Sequence, residues 1–108
     1  MTYVIGTSEE ITDLFSFYSL PSHVMKNDKY NMLYACYSYY NFATTIPYEE
    51  LILNALITAN NLEYDVYNCL DIMNNKDVFE NLHFMIGDGH LNYYLYNWGL
   101  GKETITPQ

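Results

Sequence analysis

With 108 residues, half of them hydrophobic and 18% aromatic, the chain has enough apolar material for one packed domain and is not a disordered segment. Four lysines against thirteen acidic residues give a formal charge of -9, which disfavours a nucleic-acid partner and suits a cationic one or a soluble acidic surface. Thirteen tyrosines in so short a chain cannot all bury satisfied hydroxyls, so some must line a groove or an interface.

The start, MTYVIGTSEE, lacks the basic segment and apolar run of a signal peptide, and no stretch approaches twenty apolar residues, so a cytoplasmic protein is expected. Residues 2–5 are β-prone and stop at Gly6-Thr7-Ser8. Residues 11–20 (ITDLFSFYSL) have the aromatic and β-branched content of a strand, ended by Pro21, and the polar residues 22–31 read as a loop. Residues 32–43 (MLYACYSYYNFA) form a long aromatic strand whose two faces both look coverable, as in an inner strand.

At residue 44 the period changes. Pro47 suits a first helical position, Glu49 and Glu50 favour the helix dipole, and Leu51, Ala55 and Ala59 form one apolar line with Ile52 and Leu56 beside it. This predicts an amphipathic helix packed on a sheet and ended by Asn60-Asn61. A short strand at 64–70, a polar break at Asn74-Asn75, a brief helix at 77–82 and a final strand at 91–98 follow. The sum is an α/β or α+β layer on a mixed sheet, with residues 1–108 as one domain.

Few residues announce chemistry. His23, His83 and His90 have no metal-site spacing with each other or with an acid, and Cys36 and Cys69 make no Cys-x-x-Cys pair, so no metal is expected and both thiols read as buried and reduced. There is no Gly-x-Ser-x-Gly elbow, and the lone Gly87-x-Gly89 lacks a dinucleotide fingerprint. What stands out is Gly87-Asp88-Gly89. Two glycines permit close backbone approach or positive φ. The triplet is either a turn between strands or a loop that presents the Asp88 carboxylate to a ligand's ammonium group among tyrosines.

The stretch IGDGHLNYYLYNW resembles the C-terminal signature of the glycylpeptide N-myristoyltransferase family, Lys-Phe-Gly-x-Gly-Asp-Gly. Phe84, Gly87, Asp88 and Gly89 match it, while His83 stands where the family has lysine and Met85 where it has glycine. ITDLFSFYSLPSHVM, YSYYN and YDVYNCLDIMNNKDVFENLHF are also similar to that family, in the same order, so the likeness spans residues 2–98.

The resemblance implies one of two acetyltransferase-like (GNAT-like) halves of the N-myristoyltransferase fold, with a mixed sheet and flanking helices. It implies the C-terminal, acceptor-peptide-binding half of an enzyme that moves myristate from myristoyl-CoA to the N-terminal glycine amine of proteins. The acyl donor belongs to the full enzyme, and no cofactor is assigned to this half. The partners implied are a Gly-start peptide with a downstream basic residue and an N-terminal acyl-CoA-binding half. The alternative is a non-catalytic domain that binds N-terminal peptides or a protein partner.

By the same resemblance Asp88 contacts the peptide lysine, Gly87 and Gly89 hold its loop, Tyr37 lines the peptide groove and Ser22, in Leu-Pro-Ser, touches the peptide. On the residues alone, Tyr37 could equally be a core tyrosine and Ser22 a local turn cap. The family's base is its own terminal α-carboxylate, which makes the carboxylate of Gln108 the candidate here. A free α-carboxyl has a pKa of about 3.5 and works as a base only when placed beside the amine. The tail GLGKETITPQ does not reproduce the family's apolar last residues.

Overall fold

The computed structural model describes residues 1–96, 99 and 101. Strands β1 (Thr2–Gly6), β2 (Ile11–Ser19), β5 (Ala35–Phe42) and β6 (Val66–Asn68) form a four-stranded sheet in the order β1-β2-β5-β6. The first two pairings are antiparallel and β5–β6 is parallel. Helix α1 (Tyr48–Asn61) makes the crossover that a parallel pair requires. A two-stranded ribbon, β3 (Ser22–His23) with β4 (Met32–Leu33), brings together the ends of the polar segment between β2 and β5.

One face of the sheet carries the core. Phe15, Phe17 and Cys36 pack against Leu51, Ala55 and Ala59 of α1, so the predicted apolar line of the helix is the one that is buried. Phe17, only 1% exposed, sits edge-on to Tyr64 and Tyr67, with ring centres 6.0 and 5.7 Å apart. Tyr3 of β1 stacks on Phe15 at 5.0 Å and extends the cluster to the sheet edge.

Two bulges set the register. At the first, Ile5 and Gly6 are consecutive on β1 but pair with Asp13 and Ile11, leaving Thr12 as the extra residue. At the second, Phe15 pairs with Asn41 and Phe17 with Ser38, so Tyr39 and Tyr40 together face Ser16 alone. Side chains satisfy the backbone freed there. Ser16 Oγ donates to the Tyr40 carbonyl (2.8 Å) and accepts from its N–H (2.9 Å), while the Ser16 N–H donates to Asn41 Oδ1 (3.3 Å). Both side chains are buried.

Asp13, fully buried, organises the chain between β5 and α1. One carboxylate oxygen accepts from the N–H groups of Thr44 (2.8 Å), Thr45 (2.9 Å) and Ile46 (3.3 Å). The other accepts from the Thr12 and Thr45 hydroxyls. Burial alone would raise the Asp13 pKa. The Thr45 hydroxyl and N–H, with Thr12 and Thr44, outweigh that and hold the carboxyl well below the usual range.

Several sequence expectations are corrected. Pro47 is the cap and Tyr48 the first helical residue, while the helix ends at Asn61 as expected, capped by Leu62 ahead of Glu63 at φ 63°. β5 is an inner strand, but α1 covers only one of its faces, and Tyr39 and Tyr40 remain exposed on it. Strand 64–70 shortens to Val66–Asn68, and the brief helix at 77–82 is instead a 3-10 turn at Asn75–Val78. Of the expected final strand at 91–98, residues 91–96 form no strand and pair with none among the described residues, and residues 97 and 98 lie outside them. Among the described residues, no helix is long and apolar enough to cross a membrane.

Candidate peptide groove

A groove of about 510 Å³ opens beside the second bulge. One wall is aromatic, built from Tyr18 of β2 and from Tyr39 and Tyr40 of β5, with Ser38 below them. A second, aliphatic part of the lining, which serves as its other wall, comes from Leu70, Ile72 and Met73 of the irregular segment after β6, and Leu91 and Tyr93 complete it. Tyr18 stacks on Tyr37 at 5.5 Å and meets Tyr39 edge-on at 6.2 Å, while Tyr39 and Tyr40 are perpendicular at 5.2 Å. The bulge explains the run. Consecutive residues of a regular strand point to opposite faces, whereas a bulge aims Tyr39 and Tyr40 to the same side. Such a site offers ring faces and phenol hydroxyls to a chain carrying both apolar and amine groups.

The site has no activated thiol beneath it. Burial pushes the Cys36 thiol up to about 11, with a smaller opposing effect from its own backbone, and burial raises Cys69 as well, offset in part by the Ser38 hydroxyl. Neither cysteine is a thiolate at neutral pH, and both are free. The Tyr67 hydroxyl is buried with no hydrogen-bond partner among the described residues, and burial holds that phenol protonated.

None of Ser22, Tyr37, Gly87, Asp88 and Gly89 is among the residues that line this groove. Tyr37 is half-buried and does not line it, but braces Tyr18, which does. Ser22 lies in the β3–β4 ribbon, opposite Leu33, and is exposed. Asp88 is exposed, and its carboxylate makes no hydrogen bond to a described residue. Gly87 and Gly89 do not adopt positive φ, and a Cβ on either would meet open space, so neither close approach nor a left-handed turn demands glycine there. The left-handed residue is His83, at φ 58°, where the chain turns out of the helical segment. Phe84 then anchors the loop, its ring 5.1 Å from Phe79 and 6.3 Å from Tyr67. Gln108 lies outside the described residues.

Sequence reasoning missed the aliphatic wall. Leu70, Ile72 and Met73 show no periodicity of either kind, and only the polar residues around them hinted at a loop. Tyr39 and Tyr40 were visible as a run, but nothing in their spacing announced a bulge.

Comparison with known proteins places this arrangement. The chain is 52% identical over 97 residues to the glycylpeptide N-tetradecanoyltransferase of Plasmodium falciparum (isolate 3D7), covering 90% of this chain and 24% of that protein. It is 49% identical over 92 residues to the Dictyostelium discoideum protein of the same name, covering 85% of this chain and 22% of that one. Its fold matches the crystal structure of Saccharomyces cerevisiae N-myristoyltransferase with bound myristoyl-CoA at a TM-score of 0.69 and 36% identity, over 82% of this chain and 24% of that one. The α/β sheet seen here is therefore the GNAT-like mixed sheet of that enzyme's C-terminal half. The chain spans about a quarter of the length of these relatives. All 108 residues match the family described as Myristoyl-CoA:protein N-myristoyltransferase, C-terminal domain, and the chain belongs to it.

Proposed function

We propose that residues 1–108 are the acceptor-peptide-binding domain of an enzyme that transfers myristate from myristoyl-CoA to the N-terminal glycine amine of proteins. The observation that carries this reading is the 52% identity over 97 residues to an enzyme named glycylpeptide N-tetradecanoyltransferase. The groove supports it, because an extended peptide can lay its side chains along the tyrosine wall while its amine leads toward the acyl donor. In the proposed reaction the glycine ammonium gives a proton to a base, for which the terminal carboxylate of Gln108 is the candidate, and the free amine attacks the thioester carbonyl. The C–S bond then breaks, CoA leaves as thiolate, and the nitrogen releases its second proton to solvent as the amide forms. Catalysis of this kind depends on placing the amine against the carbonyl, which is the task of a peptide site. Myristoyl-CoA is the proposed acyl donor of the complete enzyme, as the yeast relative with bound myristoyl-CoA supports.

Asp88 is proposed to take the side-chain ammonium of a basic residue downstream of the glycine, carried on the Gly87–Gly89 loop, with Tyr37 and Ser22 along the peptide's course. The exposure of Asp88 supports this, since its carboxylate is free of described partners and open to a ligand. Calorimetric titration with two Gly-start peptides, one with a downstream lysine and one with alanine in its place, tests the assignment. Asp88→Ala should weaken the lysine peptide about tenfold and leave the alanine peptide unchanged. Equal losses for the two peptides would remove Asp88 from the site, and no binding of either by the unaltered chain would sink the peptide-binding reading.

A further inference from the structure

The two walls of the groove are held by different means. The tyrosine wall stands on β2 and β5, which are joined by a hydrogen-bond ladder and two side-chain-satisfied bulge groups. Residues 70–73 of the aliphatic wall belong to no strand or helix. Apart from a long contact from the adjacent Cys69 thiol to the Leu70 carbonyl (3.7 Å), the hydrogen bonds that fix this segment among the described residues come from Asn75. Its side-chain Nδ2 donates to the Leu70 carbonyl at 2.8 Å, and its backbone N–H donates to the Ile72 carbonyl at 3.2 Å. Asn75 Oδ1 accepts from the hydroxyl of Tyr48, the first residue of α1. Asn75 is 1% exposed, a polar side chain sealed in the core with its donor and its acceptor both used.

Just after the second of these points, between Ile72 and Asn75, lies Met73, at φ 54°. A non-glycine residue in that conformation is held by its surroundings rather than by preference. Met73 lines the groove and also a smaller cavity of about 210 Å³ on its other side, bounded by Asn41, Phe42, Ala43, Tyr48 and Asn74. Met73 thus borders both spaces.

We infer that Asn75 is the positioning residue of the groove: by clamping the Leu70 and Ile72 carbonyls to the start of α1 it fixes the aliphatic wall, and with it the width available to a peptide side chain. The inference rests on the peptide-binding reading above. Asn75 itself touches no ligand; it acts through Leu70, Ile72 and Met73.

The test compares Asn75→Asp with the unaltered chain. Aspartate keeps an acceptor for Tyr48 but sets a carboxylate oxygen against the Leu70 carbonyl in place of the donor. Amide hydrogen exchange is followed residue by residue, and affinity is measured for a Gly-start peptide with a downstream lysine. The expected result is faster exchange of the Asn75 amide, with helix and sheet amides unchanged, and peptide affinity lower by about tenfold. Exchange of the Asn75 amide equal to that of the unaltered chain would overturn the inference, and so would local loosening with unchanged affinity. If the unaltered chain binds no peptide, the peptide-binding reading fails by itself, and exchange alone decides whether Asn75 holds the wall. Should Asn75→Asp not fold, Tyr48→Phe removes only the donor to Asn75 Oδ1; the same local loosening with an affinity loss of about threefold supports the clamp, and its absence overturns it.

Discussion

Asp13 shows how a charged residue can be a core residue. Its carboxylate takes five donors from Thr12, Thr44, Thr45 and Ile46, so the chain leaving β5 folds around an anion before it enters α1. These bonds favour the ionised form, and the pKa in the folded protein lies below the ordinary 3.8. The sign follows by linkage: a depressed carboxyl contributes stability that is fully present above the unfolded value and is lost as pH falls through the folded one. Thermal unfolding between neutral and acid pH should therefore show a midpoint that drops as pH passes below about 4. Asp13→Asn should be less stable at neutral pH and lack that part of the acid dependence. An unchanged acid slope in the variant would assign the effect to other carboxylates. In the sequence this aspartate was one polar letter inside a strand, and its role depends on three N–H groups more than thirty residues away.

At the scale of elements, the hairpin between β1 and β2 turns on Gly6. Its φ of +146° suits glycine alone, and a Cβ there would lie 2.2 Å from the Glu10 carbonyl oxygen and 2.8 Å from the Ile11 Cα. Both obstacles are backbone, so relief requires the hairpin to open. Gly6→Ala should destabilise the protein by roughly 1–3 kcal/mol, read as a lower urea midpoint. A midpoint within error of the parent would show that β1 contributes little. The same scale shows what could be read in advance. The helix was legible because its apolar line, Leu51, Ala55 and Ala59, recurs every four residues, and β2 and β5 because their aromatic and β-branched residues have few other uses. The bulge at Tyr39 and Tyr40 was not, since it is set by Ser16, twenty-four residues away, acting on the Tyr40 backbone. Residues 91–96 misled for a related reason: their alternation suits a strand, but a strand also needs a neighbour, and that is a property of the whole molecule. The family motifs made Asp88, Tyr37 and Ser22 legible as candidates, while the groove's second wall depends on an asparagine whose partners are a tyrosine in α1 and a carbonyl five residues back.

At the scale of the molecule, only one side of the sheet is covered. Val4, Tyr18, Tyr39 and Phe42 are exposed away from the helix, β1 is an exposed sheet edge, and Tyr93, Tyr94 and Tyr96 add more aromatic surface. Contiguous apolar surface of this kind marks a contact, and a free edge can pair with another strand. The 108-residue chain alone should self-associate despite its acidic charge. Sedimentation velocity across a dilution series should show a sedimentation coefficient that rises with concentration, and a single monomeric boundary throughout would count against the prediction.

The parallel pairing of β5 with β6 also orders the molecule in time. β1 and β2 can meet across a four-residue turn, whereas β6 reaches β5 only across the long connection that carries α1, a pairing that slows folding. A three-residue strand reached by so long a loop is among the last pieces to dock and the first to come loose, and the aliphatic wall of the groove follows directly from it. A peptide lodged between the walls would cross-link the late segment to the early one. Occupancy and the final step of folding would then be a single event, with the guest serving as a removable part of the core.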